Sequence, residues 1–265
     1  MTTQEKYRAL RDNLQALGRV AVAFSGGVDS TFLLAVAHDT LGDNALAVTG
    51  KSPSLPGRER RQAEEFCREK GIRQLELDTD EMALPEYVRN APDRCYHCKK
   101  RLFTAIRELA AGQGACVAEG SNADDEGDYR PGLRAIAELG IHSPLREVGL
   151  TKAEIRDLSR RMGLPTWDKP SFACLASRFP YGQPITVEKL GMVERAEQVL
   201  LDLGLRQVRV RLHGDMARIE ILPEEFDRFL PHREEVARAF AAIGFAYTAL
   251  DLTGYRSGSM NETLR

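Results

Sequence analysis

The stretch Val20-Ala21-Val22-Ala23-Phe24-Ser25-Gly26-Gly27-Val28-Asp29-Ser30 decides the fold. Its apolar first half has the length of a buried strand, and residues 29–40 read as a helix. The two glycines between them permit a sharp turn and a close backbone approach to a ligand. Such a turn aims the unpaired N–H groups of the helix, and the positive end of its dipole, at the space beyond the strand. A phosphate suits that space, and the hydroxyls of Ser25 and Ser30 add donors. Asp29 is an anion beside the expected phosphates, which makes chemical sense when it holds Mg²⁺. The plain alternative is a tight strand–helix turn with a Ser/Asp cap.

Outward from this stretch the same alternation continues. Residues 3–17 carry Tyr7, Leu10, Leu14 and Leu17 at helical spacing. Downstream come a strand at 45–49, a charged helix at 57–70 stopping before Gly71, a strand at 72–77, a helix at 96–111 and a strand at 115–118. Strands alternating with helices predict α/β architecture, a parallel sheet covered on both faces. After about residue 180 the pattern changes. Pro180, Gly182 and Pro184 mark a loop, and residues 187–203 form a long helix. Two alternating segments, 207–212 and 217–222, flank His213-Gly214-Asp215 as a hairpin. Helical segments within 223–242 and a strand near 245–250 follow. The expectation is a first domain over 1–180, a small α+β domain over 185–253 and a mobile polar tail over 254–265.

Composition narrows the function. The 265 residues are 43% hydrophobic and 29% charged, which describes a globular chain. Against 39 acidic residues stand 37 basic ones, for a net charge of −2, so no nucleic-acid partner is expected. No apolar run approaches the ~20 residues of a membrane span. The opening MTTQEKYRALRDN has no apolar signal core, and the expected location is the cytoplasm. Five cysteines, an odd number in a reducing compartment, argue for metal binding or catalysis over a disulfide framework.

Cys95-Tyr96-His97-Cys98 places two thiols where they can share a metal or cluster, or cycle as a redox pair. Alone they make half of a zinc shell, which His97 would help to close. Cys174 lies in Pro170–Gly182, a segment dense in Ser, Arg, Pro and Gly, four residues before Arg178. Cys67 and Cys116 read as small buried hydrophobes. Arg209 and Arg211 alternate on one strand and share a face, as two guanidiniums on a phosphate would. Gly50-Lys51-Ser52 imitates the tail of a Walker loop, but Ala45 stands where its first glycine is required. It reads instead as a loop ending the second strand, near the nucleotide. Glu119–Asp125 is an acidic loop after the fourth strand. Asp124 and Asp125 are candidates for the substrate or Mg²⁺ side, with Arg130 and Arg134 facing the same cleft; a solvated loop is the plain alternative.

Ser-Gly-Gly-Val-Asp-Ser resembles the PP-loop of the ATP pyrophosphatase superfamily. Its members cleave ATP between the α and β phosphates and typically activate a carbonyl oxygen as an adenylate. The resemblance implies a Rossmann-like, adenine nucleotide alpha hydrolase fold using ATP and Mg²⁺. It implies nucleotide contacts from Ala23, Ser25, Gly26, Gly27, Asp29, Ser30, Lys51, Gly120 and Asn122.

With the Cys174 segment and Arg209-Val210-Arg211 included, roughly residues 18–225 resemble LarE-type ATP-dependent sulfur transferases. That family adenylates a carboxylate of a pyridinium mononucleotide and replaces AMP by sulfur, giving a thiocarboxylate for a nickel-pincer cofactor. The resemblance implies catalytic roles for Cys174, Asp29 and Arg178, and substrate contacts from Asp124, Asp125, Arg209 and Arg211. It implies either sacrifice of the Cys174 sulfur or a four-iron, four-sulfur cluster on Cys95, Cys98 and Cys174. It also implies a homo-oligomer with a divalent ion at Glu197 and Glu220 near a subunit junction.

Three rivals remain open. A tRNA thiolation enzyme needs an RNA-binding surface, which the charge does not suggest. An amidating PP-loop ligase has no use for Cys-x-x-Cys and usually takes ammonia from a glutaminase. A nucleotide-binding regulatory module has no use for the three cysteines.

Overall fold

The structure is a computed structural model and describes residues 1–125, 131–256 and 258–259. By internal packing the chain divides into two units, residues 1–84 with 93–171, and residues 85–92 with 172–265. Residues 85–92 and 172–180, which the sequence pattern grouped with the first domain, pack with the second unit.

The first unit runs α1 (Thr3–Leu17), β1 (Val20–Ala23), α2 (Val28–Leu41), β2 (Ala45–Lys51), α3 (Gly57–Lys70) and β3 (Gln74–Asp78). After the excursion at α4 (Pro85–Val88) it continues with α5 (Arg94–Ala111), β4 (Cys116–Ala118), α6 (Pro131–Glu138), α7 (Pro144–Glu147) and α8 (Lys152–Arg161). The strands form one parallel sheet in the order β3-β2-β1-β4. Side chains alternate across it. Val20, Val22, Ala45 and Ala47 join Leu10, Phe32, Leu33 and Ile155 on one face. Ala21, Leu46 and Val48 join Phe103, Ile106 and Ile136 on the other. Burial on both faces explains why β1 and β2 read as continuous apolar runs. α2 is apolar nearly all round and is buried from Ser30 to Ala37.

β3 begins at Gln74, two residues later than the pattern suggested, because Ile72 belongs to the end of α3. Gly71 turns at φ +67°, and the Ile72 N–H reaches back to the Cys67 carbonyl. This is a helix-stopping motif of the Schellman kind. Cys67 is buried as expected, and burial pushes its thiol up to about 12. Cys116 is exposed, contrary to the expectation. It opens the three-residue edge strand β4, and burial starts only at Val117.

The second unit holds α9 (Val187–Asp202), β5 (Val208–His213), β6 (Met216–Ile221), α10 (Phe226–Phe229), α11 (Arg233–Ile243) and β7 (Tyr247–Leu250). β5 and β6 form the expected antiparallel hairpin, turning at Gly214 with φ +61°. β7 joins β6 in parallel. Leu190, Val193, Ala196, Val210, Ile219, Val236 and Phe240 are fully or almost fully buried. Asn90, at φ +57°, ties residues 85–92 to this unit by donating to the Phe179 and Pro180 carbonyls. In the tail, the Tyr255 N–H bonds the Ile221 carbonyl at 2.8 Å. Residues 257 and 260–265 of the tail, and Arg130, lie outside the described residues.

Glu154 links two helices of the first unit. It accepts hydrogen bonds from Thr3 and Lys6 of α1 and from the Thr151 N–H that caps α8. Burial acts against it, but these bonds hold its carboxyl down to about 2. The folded value lies below the ordinary glutamate value of ~4.3. The contribution is therefore complete above that pH and is lost as pH falls toward 2. Glu154→Gln should flatten the acid limb of urea stability curves by on the order of 1 kcal/mol.

Candidate active site

The turn between β1 and α2 is built for close approach. Gly26 turns at φ +71°, and a Cβ there would meet the Ala63 Cβ at 3.2 Å and the Glu59 carbonyl at 3.3 Å. Gly27 is the N-cap of α2 and supplies no side-chain cap, so the first turn keeps N–H groups for an external acceptor. Ser25 and Ser30 hydroxyls are 3.1 Å apart, and Ser30 also donates to the Gly27 carbonyl. The far side of the turn is closed by Gly120, where a Cβ would lie 3.0 Å from the Ser30 nitrogen. The structure thus brings the nucleotide candidates Ala23, Ser25, Gly26, Gly27, Asp29, Ser30 and Gly120 to one end of the parallel sheet.

Asp29 is half-buried in the first turn of α2. Its Oδ2 receives the Lys152 ammonium at 2.5 Å. Its Oδ1 is buried and has no hydrogen-bond partner among the described residues. An unsatisfied carboxylate oxygen beside a phosphate-type helix terminus fits Mg²⁺. Lys152 escaped the sequence reading. Thr151 and Glu154 form a capping box at the start of α8, a signal that marks this helix and places Lys152 at its first position.

The loop after β4 is tied mostly to itself. Asn122 N–H donates to Asp125, Asp124 N–H donates to the Asn122 side chain, and Asp124 accepts from Lys152 N–H at 2.8 Å. Asp124 and Asp125, expected to face substrate, therefore each carry a structural bond. Arg134 stacks on Tyr96, 3.8 Å from the ring centre, and pairs with Glu138. Lys51 ends β2 between Glu76 and Asp78.

Cys95 and Cys98 lie in the opening turns of α5, one helical turn apart and half-buried. That spacing puts them on one helix face. Thiol donors at this spacing suit iron–sulfur chemistry. His97 points its Nε2 to Asp93 at 3.2 Å, away from the zinc role considered for it. Among the described residues, no three His, Cys, Asp or Glu side chains gather into a metal-holding group.

In the second unit Cys174 is exposed and caps a short 3-10 turn, Leu175–Arg178. Beneath it Arg178 is fully buried. Its Nη1 donates to the carbonyls of Ala173 (2.6 Å) and Cys174 (3.1 Å), and Nε and Nη2 grip Glu197 at 2.8 and 2.9 Å. Arg178, expected to be catalytic, thus bonds the backbone of the cysteine loop. Burial alone would push the Glu197 carboxyl up. The Arg178 charge and hydrogen bonds, the Arg209 charge and the Val210 N–H outweigh it and hold the carboxyl below its ordinary value.

Arg209 and Arg211 share a face of β5 as expected, but both are almost fully buried. Arg209 lies between the rings of Phe172 and Tyr255, and burial and the Arg178 charge push it down to about 10. Arg211 donates to the Ser177 carbonyl, to Glu220 and to Ser259. Its Nε–H is buried without a partner among the described residues. Glu220 is held by Arg211 and Arg218. Glu197 and Glu220, expected to bind a divalent ion, are both engaged by guanidiniums, a poor setting for a cation.

Glu197→Ala would leave Arg178 buried without its counter-charge. Denaturant unfolding should show a loss of about 3–5 kcal/mol, the range for breaking a buried pair.

Comparison with known proteins bears on this geometry. The family model described as asparagine synthase matches residues 4–107. A Lactiplantibacillus plantarum protein named pyridinium-3,5-bisthiocarboxylic acid mononucleotide synthase is 40% identical over 265 residues, covering 99% of this chain and 96% of that protein. An uncharacterised protein of Synechocystis is 46% identical over 264 residues, 98% of both chains. An argininosuccinate synthase of Haloarcula marismortui is 27% identical over 161 residues, 56% of this chain and 38% of its own.

Proposed function

The chain belongs to the LarE-type ATP-dependent sulfur transferases of the PP-loop superfamily, and on that footing we propose that it converts a carboxylate of a pyridinium mononucleotide to a thiocarboxylate. The relative's printed name supplies the substrate class. The observation that carries the reading is Cys174, an exposed thiol on a backbone clamped by a buried guanidinium.

In this reading ATP lays its phosphates on Ser25–Ser30. The N–H groups opening α2 and the Ser25 and Ser30 hydroxyls bind them, and Asp29 Oδ1 is the acceptor left for Mg²⁺. The Lys152 ammonium stands beside this carboxylate, where it adds positive charge to balance the triphosphate. Carboxylate oxygen attacks the α-phosphorus, pyrophosphate leaves, and an acyl adenylate forms. Sulfur then attacks the acyl carbon and AMP departs with the former carboxylate oxygen. The substrate's own phosphate is assigned to Arg209 and Arg211, with Arg211 Nε–H as the donor left for it.

Two sulfur sources are compatible with these residues. Cys174 thiolate can attack directly, forming a thioester. Loss of its Cα proton and rupture of its Cβ–S bond then leave dehydroalanine on the protein and the thiocarboxylate on the product. Alternatively Cys95, Cys98 and Cys174 would hold a four-iron, four-sulfur cluster, whose chemistry when bound is to supply sulfide in place of the cysteine sulfur.

Asp29→Ala should abolish Mg²⁺-dependent AMP release, measured by chromatography, while melting like the parent protein; undiminished release would remove Asp29 from the site. Mass spectrometry separates the sulfur sources. Sacrifice lightens the protein by ~34 Da, one H₂S, in the single turnover that Cys174 allows, whereas repeated turnover with added sulfide and intact Cys174 supports the cluster.

A further inference from the structure

Lys169 lies outside every motif that carries the nucleotide reading, yet its side chain is only 13% exposed and its ammonium is held by three acceptors. It donates to the Gly26 carbonyl at 3.1 Å and to Gln62 Oε1 at 2.7 Å, and it pairs with Glu59 Oε2 at 2.7 Å. Its backbone is fixed as well. Arg156 donates to the carbonyls of Trp167 (2.7 Å) and Lys169 (2.8 Å), and the Lys169 N–H bonds the Thr166 carbonyl. Arg58 faces the same carboxylate, with Nε 3.7 Å from Glu59 Oε1.

We propose that Lys169 is a positioning residue for the nucleotide, setting the orientation of the Gly26–Gly27 peptide by holding its carbonyl oxygen. A trans peptide is planar, so its C=O and N–H point in opposite directions. With the oxygen fixed on Lys169, the Gly27 N–H faces away from the Lys169–Glu59 pair. A Gly-Gly peptide is the one most easily turned over, because neither residue carries a Cβ to forbid the alternative. Turning it over would present a carbonyl oxygen in place of an N–H. Opposite a phosphate, that replaces an attraction by a repulsion. Glu59 and Gln62 are further acceptors on the same ammonium. Lys169 thus serves the loop from 143 residues away in sequence, and it stands five residues before Cys174 in the chain.

This inference rests on reading Ser25–Ser30 as the phosphate loop, and its test is independent of sulfur transfer. MgATP affinity is measured by calorimetric titration on the full chain and on Lys169→Met, Lys169→Arg and the Glu59→Gln/Gln62→Ala double variant. Lys169→Met should weaken MgATP about tenfold or more. Lys169→Arg, which still donates to the Gly26 carbonyl, should stay within about threefold of the parent. The double variant, which keeps the ammonium and the carbonyl but removes the other two acceptors, should also stay within about threefold. A lysine that only stabilises the fold would lower the melting temperature of Lys169→Met and leave its affinity intact, which overturns the proposal. Equal losses in Lys169→Met and the double variant overturn it too, by moving the role to α3. Should Lys169→Met fail to fold, Lys169→Ala, which also removes the donor to the Gly26 carbonyl, is titrated in its place, with a loss of about tenfold supporting the proposal and unchanged affinity overturning it. Parent protein that binds MgATP yet forms no thiocarboxylate would sink the sulfur-transfer reading and leave the Lys169 assignment standing.

Discussion

Between β1 and α2 the chain must stop a buried strand, reverse at Gly26 with φ +71°, and enter a buried helix at Val28. The space at that reversal is set by α3, since a methyl group on Gly26 would press on Ala63 and on the Glu59 carbonyl. It is set on the other side by Gly120, whose backbone lies against Asp29 and Ser30. Close approach from both directions brings uncapped N–H groups and a half-buried carboxylate to the C-terminal edge of a parallel sheet. Ligands bind there in open α/β sheets. β2 secures the same edge, since the Val48 carbonyl and the Thr49 hydroxyl bond the two ends of the Phe24 unit.

The second unit solves a different problem. It must hold an exposed thiol on a segment with no regular secondary structure beyond one short turn. It does so with cations placed where a solvent-free interior would ordinarily expel them. Arg178 is tolerated because Glu197, two carbonyls and the Ser177 hydroxyl satisfy its donors. Replacing such a network by apolar side chains is often harmless to stability. Its presence here is better explained by the orientation it imposes on the Cys174 backbone.

Much of this was legible in the sequence where the determinants are local. The limits of α3 are read from Gly71, and the β1–glycine–α2 stretch is read from one run of apolar residues followed by two glycines. The small domain's hairpin follows from alternation on either side of Gly214. What was not legible depends on tertiary contacts. Lys152 reaches Asp29 across 123 residues, and nothing near Lys152 in sequence marks that partner. Residues 85–92 leave the first unit for the second through hydrogen bonds of Asn90 and Val88, which no local pattern announces. The arginines of β5 were correctly placed on one face, but alternation cannot tell a solvent-facing strand from one whose charges are satisfied inside. Cys116 shows the same limit at a strand's first residue.

The central claim is that oxygen leaves the carboxylate on AMP and sulfur takes its place. The most direct test supplies a pyridinium mononucleotide whose carboxylate carries heavy oxygen and examines the AMP by mass spectrometry. The account predicts AMP heavier by one labelled oxygen, formed together with thiocarboxylate. Unlabelled AMP, with the label in inorganic phosphate or retained in the product, would contradict it.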